Sequence, residues 1–132
     1  MRRAQRVFSR TGGLHAAALF SREGHLHLLC EDIGRHNAVD KVLGRAFLWD
    51  GQGDGSDGAL ELSESVMMVS GRIGYEIVQK VGMAQVPVLA AVGAPSSLSV
   101  RVARDCGITL VGFVRNARIN IYTGHHRVQL EE

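Results

Sequence analysis

Two apolar rhythms alternate along this chain, and they constrain its fold more than any other feature. Short continuous apolar runs of strand length alternate with stretches in which apolar residues recur every three or four positions, the spacing of a helix face. His15 to Phe20 and Leu26 to Ile33 read as two strands. The connection Ser21-Arg22-Glu23-Gly24 is too short for a crossover, so the pair is expected to be antiparallel. From His36 onward Ala38, Val39, Val42, Leu43, Ala46 and Phe47 form an amphipathic stripe ending near Trp49. Val66 to Val69 is a buried-type strand, followed by a helix through Glu76, Ile77, Lys80 and Val81. The same unit repeats as a strand over Val86 to Val92, a turn at Gly93-Ala94-Pro95 and a helix over Ser96 to Asp105, capped by Ser96 or Ser97. Strands over Ile108 to Val114 and Ile119 to Tyr122 complete the series. Ahead of it, Val7-Phe8 reads as a helix tail broken by Thr11-Gly12-Gly13. The order β-β-α-β-α-β-α-β-β, with continuous apolar later strands, predicts a three-layer α/β/α domain with a mixed sheet and helices on both faces.

Length and composition agree with that fold class. The 132 residues suffice for one domain spanning 1–132, with GQGDGSDG at 51–58 as a flexible acidic loop. An apolar share of 45% and a charged share of 21% suit an ordinary globular protein, and no apolar run is long enough to span a bilayer. The basic Met1-Arg2-Arg3 start is followed by polar residues, so no signal peptide is visible and a cytoplasmic location is the simplest expectation. A net charge of +2 with no Lys/Arg run permits an anionic ligand without demanding nucleic acid. The two cysteines, Cys30 and Cys106, fit no disulfide framework or zinc spacing and read as buried small apolar residues.

In folds of this class ligands meet the carboxyl ends of strands, where loops pass into helix N-termini. Three polar clusters fall there: Glu31-Asp32-Ile33-Gly34-Arg35-His36-Asn37, Ser70-Gly71-Arg72, and Gly112-Phe113-Val114-Arg115-Asn116-Ala117-Arg118. Three chemistries can be weighed against them. A zinc deaminase needs H-x-E and P-C-x-x-C, but the corresponding places read His15-Ala16-Ala17 and Pro95-Ser96-Ser97-Leu98-Ser99, so the catalytic glutamate and thiolate ligands are missing and no metal site is expected. A phosphate or nucleotide site fits better, because Arg35 and Arg72 each follow a glycine at a strand-to-helix turn and a guanidinium fork matches phosphate oxygens. The structural alternative pairs those arginines with Glu31, Asp32 or Glu76. Catalysis by His36, oriented by Asp40 one turn later, is the third reading, against a surface pair or a cap. Lys41 and Lys80 are placed either to neutralise phosphates or on solvated helix faces, and His125-His126 reads as a solvated tail.

Taken together, several motifs resemble the formate dehydrogenase accessory sulfurtransferase family, FdhD. They are Thr11-Gly12-Gly13-Leu14-His15-Ala16-Ala17, Glu31 to Lys41, Val69-Ser70-Gly71-Arg72 with Glu76 and Lys80, Ala94-Pro95-Ser96-Ser97, and Thr109 to Arg115 with Asn120-Ile121-Tyr122-Thr123. The resemblance implies a cytidine-deaminase-like fold and a cytoplasmic, usually dimeric sulfur carrier. Such a protein passes sulfur from a cysteine desulfurase to the molybdenum cofactor, bis-molybdopterin guanine dinucleotide, on which formate dehydrogenase depends. It also implies cofactor contacts at Phe113, Val114, Arg115, Asn116, Ala117 and Arg118, with Gly34, Arg35, His36, Asn37, Ser70, Gly71 and Arg72 completing a guanine pocket for which GDP is an analogue. In the family the sulfur rides on a cysteine of a C-G-x-C-G loop ahead of T-G-G-x-H. That loop is not in this sequence, so no catalytic residue is assigned beyond the speculative His36, and the chain reads as the cofactor-binding portion, either a fragment or a stand-alone domain. The alternative is a non-catalytic guanine-nucleotide-binding or dimerisation module.

Overall fold

A computed structural model describes residues 14–48, 60–115 and 118–129. The expectations for Val7-Phe8, Thr11-Gly12-Gly13, Trp49, the 51–58 loop, Asn116 and Ala117 lie outside these residues, as does the side chain of Arg115.

The chain opens with a hairpin, β1 (His15–Ser21) and β2 (Leu26–Asp32). Its turn closes because the Ser21 N–H donates to the His25 carbonyl at 2.8 Å, while Gly24 takes the left-handed conformation at φ 94°. Helix α1 (Arg35–Phe47) follows, then a 3-10 turn at Leu62–Glu64 and strand β3 (Ser65–Val69). Two further units, α2 (Tyr75–Met83) with β4 (Val88–Ala91) and α3 (Ser97–Cys106) with β5 (Thr109–Arg115), precede β6 (Arg118–Thr123) and a final 3-10 turn at His125–Arg127. The order of elements is the one the sequence predicts. Of the two candidate caps for α3, Ser96 is the one used: its Oγ accepts the Ser99 N–H at 3.1 Å, and Gly107 at φ 72° ends the helix.

The six strands lie in the order β2-β1-β3-β4-β5-β6. β1 is antiparallel to both its neighbours, β3, β4 and β5 run parallel, and β6 returns antiparallel. Each crossover from β2 to β3, β3 to β4 and β4 to β5 advances across the sheet in one direction. Right-handed crossovers then place their helices on a single face. All three helices do pack there: Ala38, Val39, Val42, Ile77, Val78, Val81 and Ala103 share one core with Ala17, Leu19, Met67, Val69, Leu89 and Leu110. Residues of opposite parity, Ala16, Ala18, Phe20, Met68, Ala90, Val111 and Val114, form a second core on the other face, each at most 6% exposed. Among the described residues no helix packs against that second core, so the three described helices form one helical layer.

Two local expectations are corrected. The α1 stripe stops at Ala46, because Phe47 on the last turn is 66% exposed. Cys30 is buried as expected, but Cys106 is exposed because it closes α3, beyond the reach of the sheet. No helix among the described residues is long and apolar enough to cross a membrane.

Candidate functional site

Because β2, β3, β4 and β5 run the same way, their carboxyl ends share one edge of the sheet. β1 runs against them and therefore starts at that edge, with His15. The three predicted clusters all emerge here: Asp32 to Asn37 from β2, Ser70-Gly71-Arg72 from β3, and Gly112 to Arg115 from β5. Hydrogen bonds stitch neighbouring loops together. Ala16 N–H donates to Ser70 Oγ at 2.9 Å and Ser70 N–H to the Ala16 carbonyl at 3.0 Å. Gly93 N–H donates to the Gly71 carbonyl at 3.3 Å, and Phe113 N–H to the Gly93 carbonyl at 3.2 Å. Glycine at 93 lets these backbones approach closely, since a Cβ there would stand 3.0 Å from the Gly71 carbonyl oxygen and 3.2 Å from the Arg72 nitrogen. Four inter-strand steps of about 4.8 Å separate β2 from β5 by roughly 19 Å of backbone along this edge.

At the β2 end most of the charge is engaged within the chain. Asp32 Oδ1 accepts the Gly34 N–H at 2.9 Å and Asn37 Nδ2 at 3.3 Å, while Oδ2 pairs with Lys41 Nζ at 2.8 Å. The Gly34 N–H bond, then Lys41 and Asn37, hold the Asp32 carboxyl down at about 2. Lys41 also donates to the Glu31 carbonyl at 3.0 Å. The negative charge that the start of α1 favours is thus supplied in part by Asp32 itself. Of the structural pairings weighed for Arg35 and Arg72, none forms: no salt bridge among the described residues joins them to Glu31, Asp32 or Glu76, and Lys41 holds Asp32 instead. Asp40 accepts from Lys80 Nζ at 2.8 Å, and no hydrogen bond among the described residues joins it to His36. The His36-Asp40 pair needed for an oriented imidazole is therefore not assembled, and both lysines sit in ion pairs.

At the β5 end the backbone is unusual. Phe113 takes φ 53°, where β5 and β6 lose register between Gly112 and Arg115, and its ring is 39% exposed. A bulky residue in the left-handed region costs on the order of 1–3 kcal/mol. Val114 is fully buried in the second core, so its side chain is packing and only its backbone can meet a ligand. Arg118 is exposed on β6 opposite Arg115. Ser70, a predicted ligand contact, extends the β1–β3 pairing through its Oγ.

Sequence reasoning did not place His15 at this edge, where the structure sets it opposite Asp32. The signal was present in its motif, but only the insertion of β1 between β2 and β3 carries the start of this strand to the ends of the others. Among the described residues, open grooves of about 400, 430 and 680 Å³ lie at the opposite end of the sheet, lined by residues such as Arg22, Glu64, Ser65, His126 and Arg127. Among the described residues no three His, Cys, Asp or Glu side chains are grouped to hold a metal ion.

Fold and edge together define a mixed α/β domain whose parallel strand ends gather arginine- and glycine-containing loops along one edge. The sequence profile of the FdhD/NarQ family matches residues 1–129, and the chain belongs to that family. It is 57% identical over 130 residues to the sulfur carrier protein FdhD of Streptomyces avermitilis, covering 98% of this chain and 43% of that protein. With the sulfur carrier protein FdhD of Thermoplasma acidophilum the identity is 54% over 128 residues, covering 97% and 42%. A candidate formate dehydrogenase accessory protein of Desulfotalea psychrophila, known from a crystal structure, superposes with a TM-score of 0.76 at 32% identity, covering 93% of this chain and 51% of that one. The chain thus spans about half the length, or less, of the relatives it matches.

Proposed function

We propose that this chain forms the cofactor-handling part of a sulfur carrier, which binds the guanine dinucleotide form of the molybdenum cofactor as substrate while sulfur is delivered to it. One observation carries the reading: the topology collects the predicted arginine and glycine motifs at a single sheet edge, with Arg35 and Arg72 in no salt bridge among the described residues. A guanidinium without a carboxylate partner is available for a phosphate, which it binds through charge-assisted hydrogen bonds. Cys30 is 6% exposed within the apolar core, and Cys106 closes α3 at the end remote from the edge. Neither thiol is placed to present a persulfide to a ligand at that edge. The sulfur-bearing thiol would therefore be another one, loaded by a cysteine desulfurase, with formate dehydrogenase as the recipient of the finished cofactor and a homodimer as the working form.

Calorimetric titration of the purified chain with GDP, with ATP as a control for generic phosphate affinity, tests this. Selective GDP binding is the expected result. A folded sample that binds neither nucleotide, or both alike, would overturn the guanine reading and leave a non-transferring dimerisation module as the better account.

A further inference from the structure

The grooves at the end of the sheet remote from the arginine and glycine loops run into one another. The groove of about 430 Å³ beside β6 is lined by Arg104, Tyr122, His125 and His126, with buried Ile108 in its wall. His126 also lines the groove of about 680 Å³ at the starts of β3 and β4. Arg22, Glu64 and Ser65 are shared in turn by that groove and the one of about 400 Å³ beside the β1–β2 turn. From β6 to β2 the sheet takes five inter-strand steps of about 4.8 Å, roughly 24 Å, the reach of about seven residues of extended chain. Charge divides this course. Among the described residues no carboxylate lines the β6 groove, whereas Glu23, Glu61 and Glu64 line the groove beside the turn, with Glu64 paired to Arg22 at 3.1 Å.

The fold leaves the cationic groups of the β6 groove over. The last carbonyls of α3 are already satisfied: Ala103 accepts the Ile108 N–H at 2.9 Å, Arg104 accepts the Gly107 N–H at 3.2 Å, and Gly107 accepts from Arg127 Nη1 at 2.8 Å. The side chains of Arg104, His125 and His126 are exposed and make no salt bridge among the described residues. From this arrangement we infer that the groove docks an extended acidic segment of a partner protein. Its carboxylates accept from the Arg104 guanidinium and the imidazoles of His125 and His126, and its chain continues past Arg127 toward the first hairpin. A free anion would occupy the β6 groove alone, and the continuation across the sheet is what an extended chain can use. A segment docked here leaves the edge with Arg35 and Arg72 open, so partner and anionic ligand can be held together. The inference stands apart from the nucleotide reading of that edge.

The test titrates a fluorescein-labelled octapeptide of alternating glutamate and serine into the full chain and reads its anisotropy. A lysine–serine octapeptide serves as the charge control, and free glutamate and inorganic phosphate serve as competitors. The acidic peptide is expected to bind, less tightly as salt is added, and the basic one is not. Arg104→Glu and His126→Glu, made separately, should each weaken the acidic peptide by about tenfold at an unchanged unfolding midpoint and unchanged GDP affinity. A folded sample that binds neither peptide, or both alike, would overturn the inference, as would wild-type affinity in both variants. Displacement of the peptide by glutamate or phosphate at concentrations no higher than its own would reduce the groove to a small-anion site and overturn docking. Should one variant not fold, the other decides. Failure of the wild type to bind GDP would overturn the nucleotide reading and leave the docking groove standing.

Discussion

The two ends of the sheet treat their polar groups differently. At the end where β5 starts and β6 finishes, every polar side chain in the network is mated inside the chain. Thr123 Oγ1 donates to the Ile108 carbonyl at 2.7 Å and accepts the Leu110 N–H at 3.1 Å. Thr109 Oγ1 donates to the Gly124 carbonyl at 2.8 Å, and Arg127 Nη1 donates to the Gly107 carbonyl at 2.8 Å and to Thr109 Oγ1 at 3.1 Å. Both threonines are buried. At the other end Asp32, Asn37 and Lys41 close a similar network, yet Arg35, Arg72 and His15 stand beside it. Among the described residues, open grooves of about 400 and 680 Å³ lie at the closed end, while the motifs gather at the other. The contrast lies in which polar groups find ion-pair partners among the described residues.

Substitutions can break or sharpen this contrast. The largest effect belongs to Gly124→Ala: Gly124 sits at φ 68°, and a Cβ there would collide with the side chain of Thr109 and stand 2.6 Å from its Cα. Strain and overpacking together predict a loss of about 2–4 kcal/mol in urea unfolding, with the GDP affinity of the folded fraction intact. Arg72→Ala should do the reverse, weakening GDP by about 1.5–3 kcal/mol by calorimetry at an unchanged unfolding midpoint. A fall in the midpoint with unchanged affinity would move Arg72 into the structural network. Thr123→Val strands the Leu110 N–H and the Ile108 carbonyl in the interior, and a stability loss of about 1–3 kcal/mol is expected. If denaturant curves of this variant overlay those of the wild type, the closed network does not stabilise the fold.

The smallest effect concerns acid. The Asp32 carboxyl is held at about 2, below its ordinary value near 3.8, so the folded state releases this proton more readily than the unfolded chain. Its stabilising contribution is full above about 3.8 and disappears as pH falls through about 2. Asp32→Asn should therefore flatten the acid limb of a stability-versus-pH curve between those values while leaving its slope near neutrality unchanged. A wild-type slope retained in the variant would place the acid sensitivity elsewhere.

Much of the fold was legible because period and run length report directly on which face of an element is buried. The α1 stripe from Ala38 to Ala46, the strand Val66 to Val69 and the serine cap of α3 all follow from local spacing. Phe47 shows the limit of that logic, since helical phase predicts a core position but only the extent of the sheet decides whether a core lies beneath it. The shared edge of the motif clusters was also legible, as a consequence of β-α order. Partner choice was not: whether Lys41 or Arg35 reaches Asp32, or Lys80 or His36 reaches Asp40, depends on side-chain geometry between elements, which spacing does not encode. His15 was hidden for a topological reason, because nothing local in the sequence says that β3 pairs with β1 instead of extending beyond β2.

That pairing also governs how the site comes into being. The bond from Ala16 N–H to Ser70 Oγ spans 54 residues, whereas the β1–β2 hairpin closes through a short turn. The hairpin contacts are local, but the edge that sets the Asp32–Asn37 cluster near Ser70-Gly71-Arg72 exists only after the chain has closed a long loop, which costs entropy before any contact compensates it. A ligand that touches both clusters would therefore be a kinetic sensor of completed assembly. Its on-rate during refolding should track the docking of β3 and lag behind the appearance of the first hairpin.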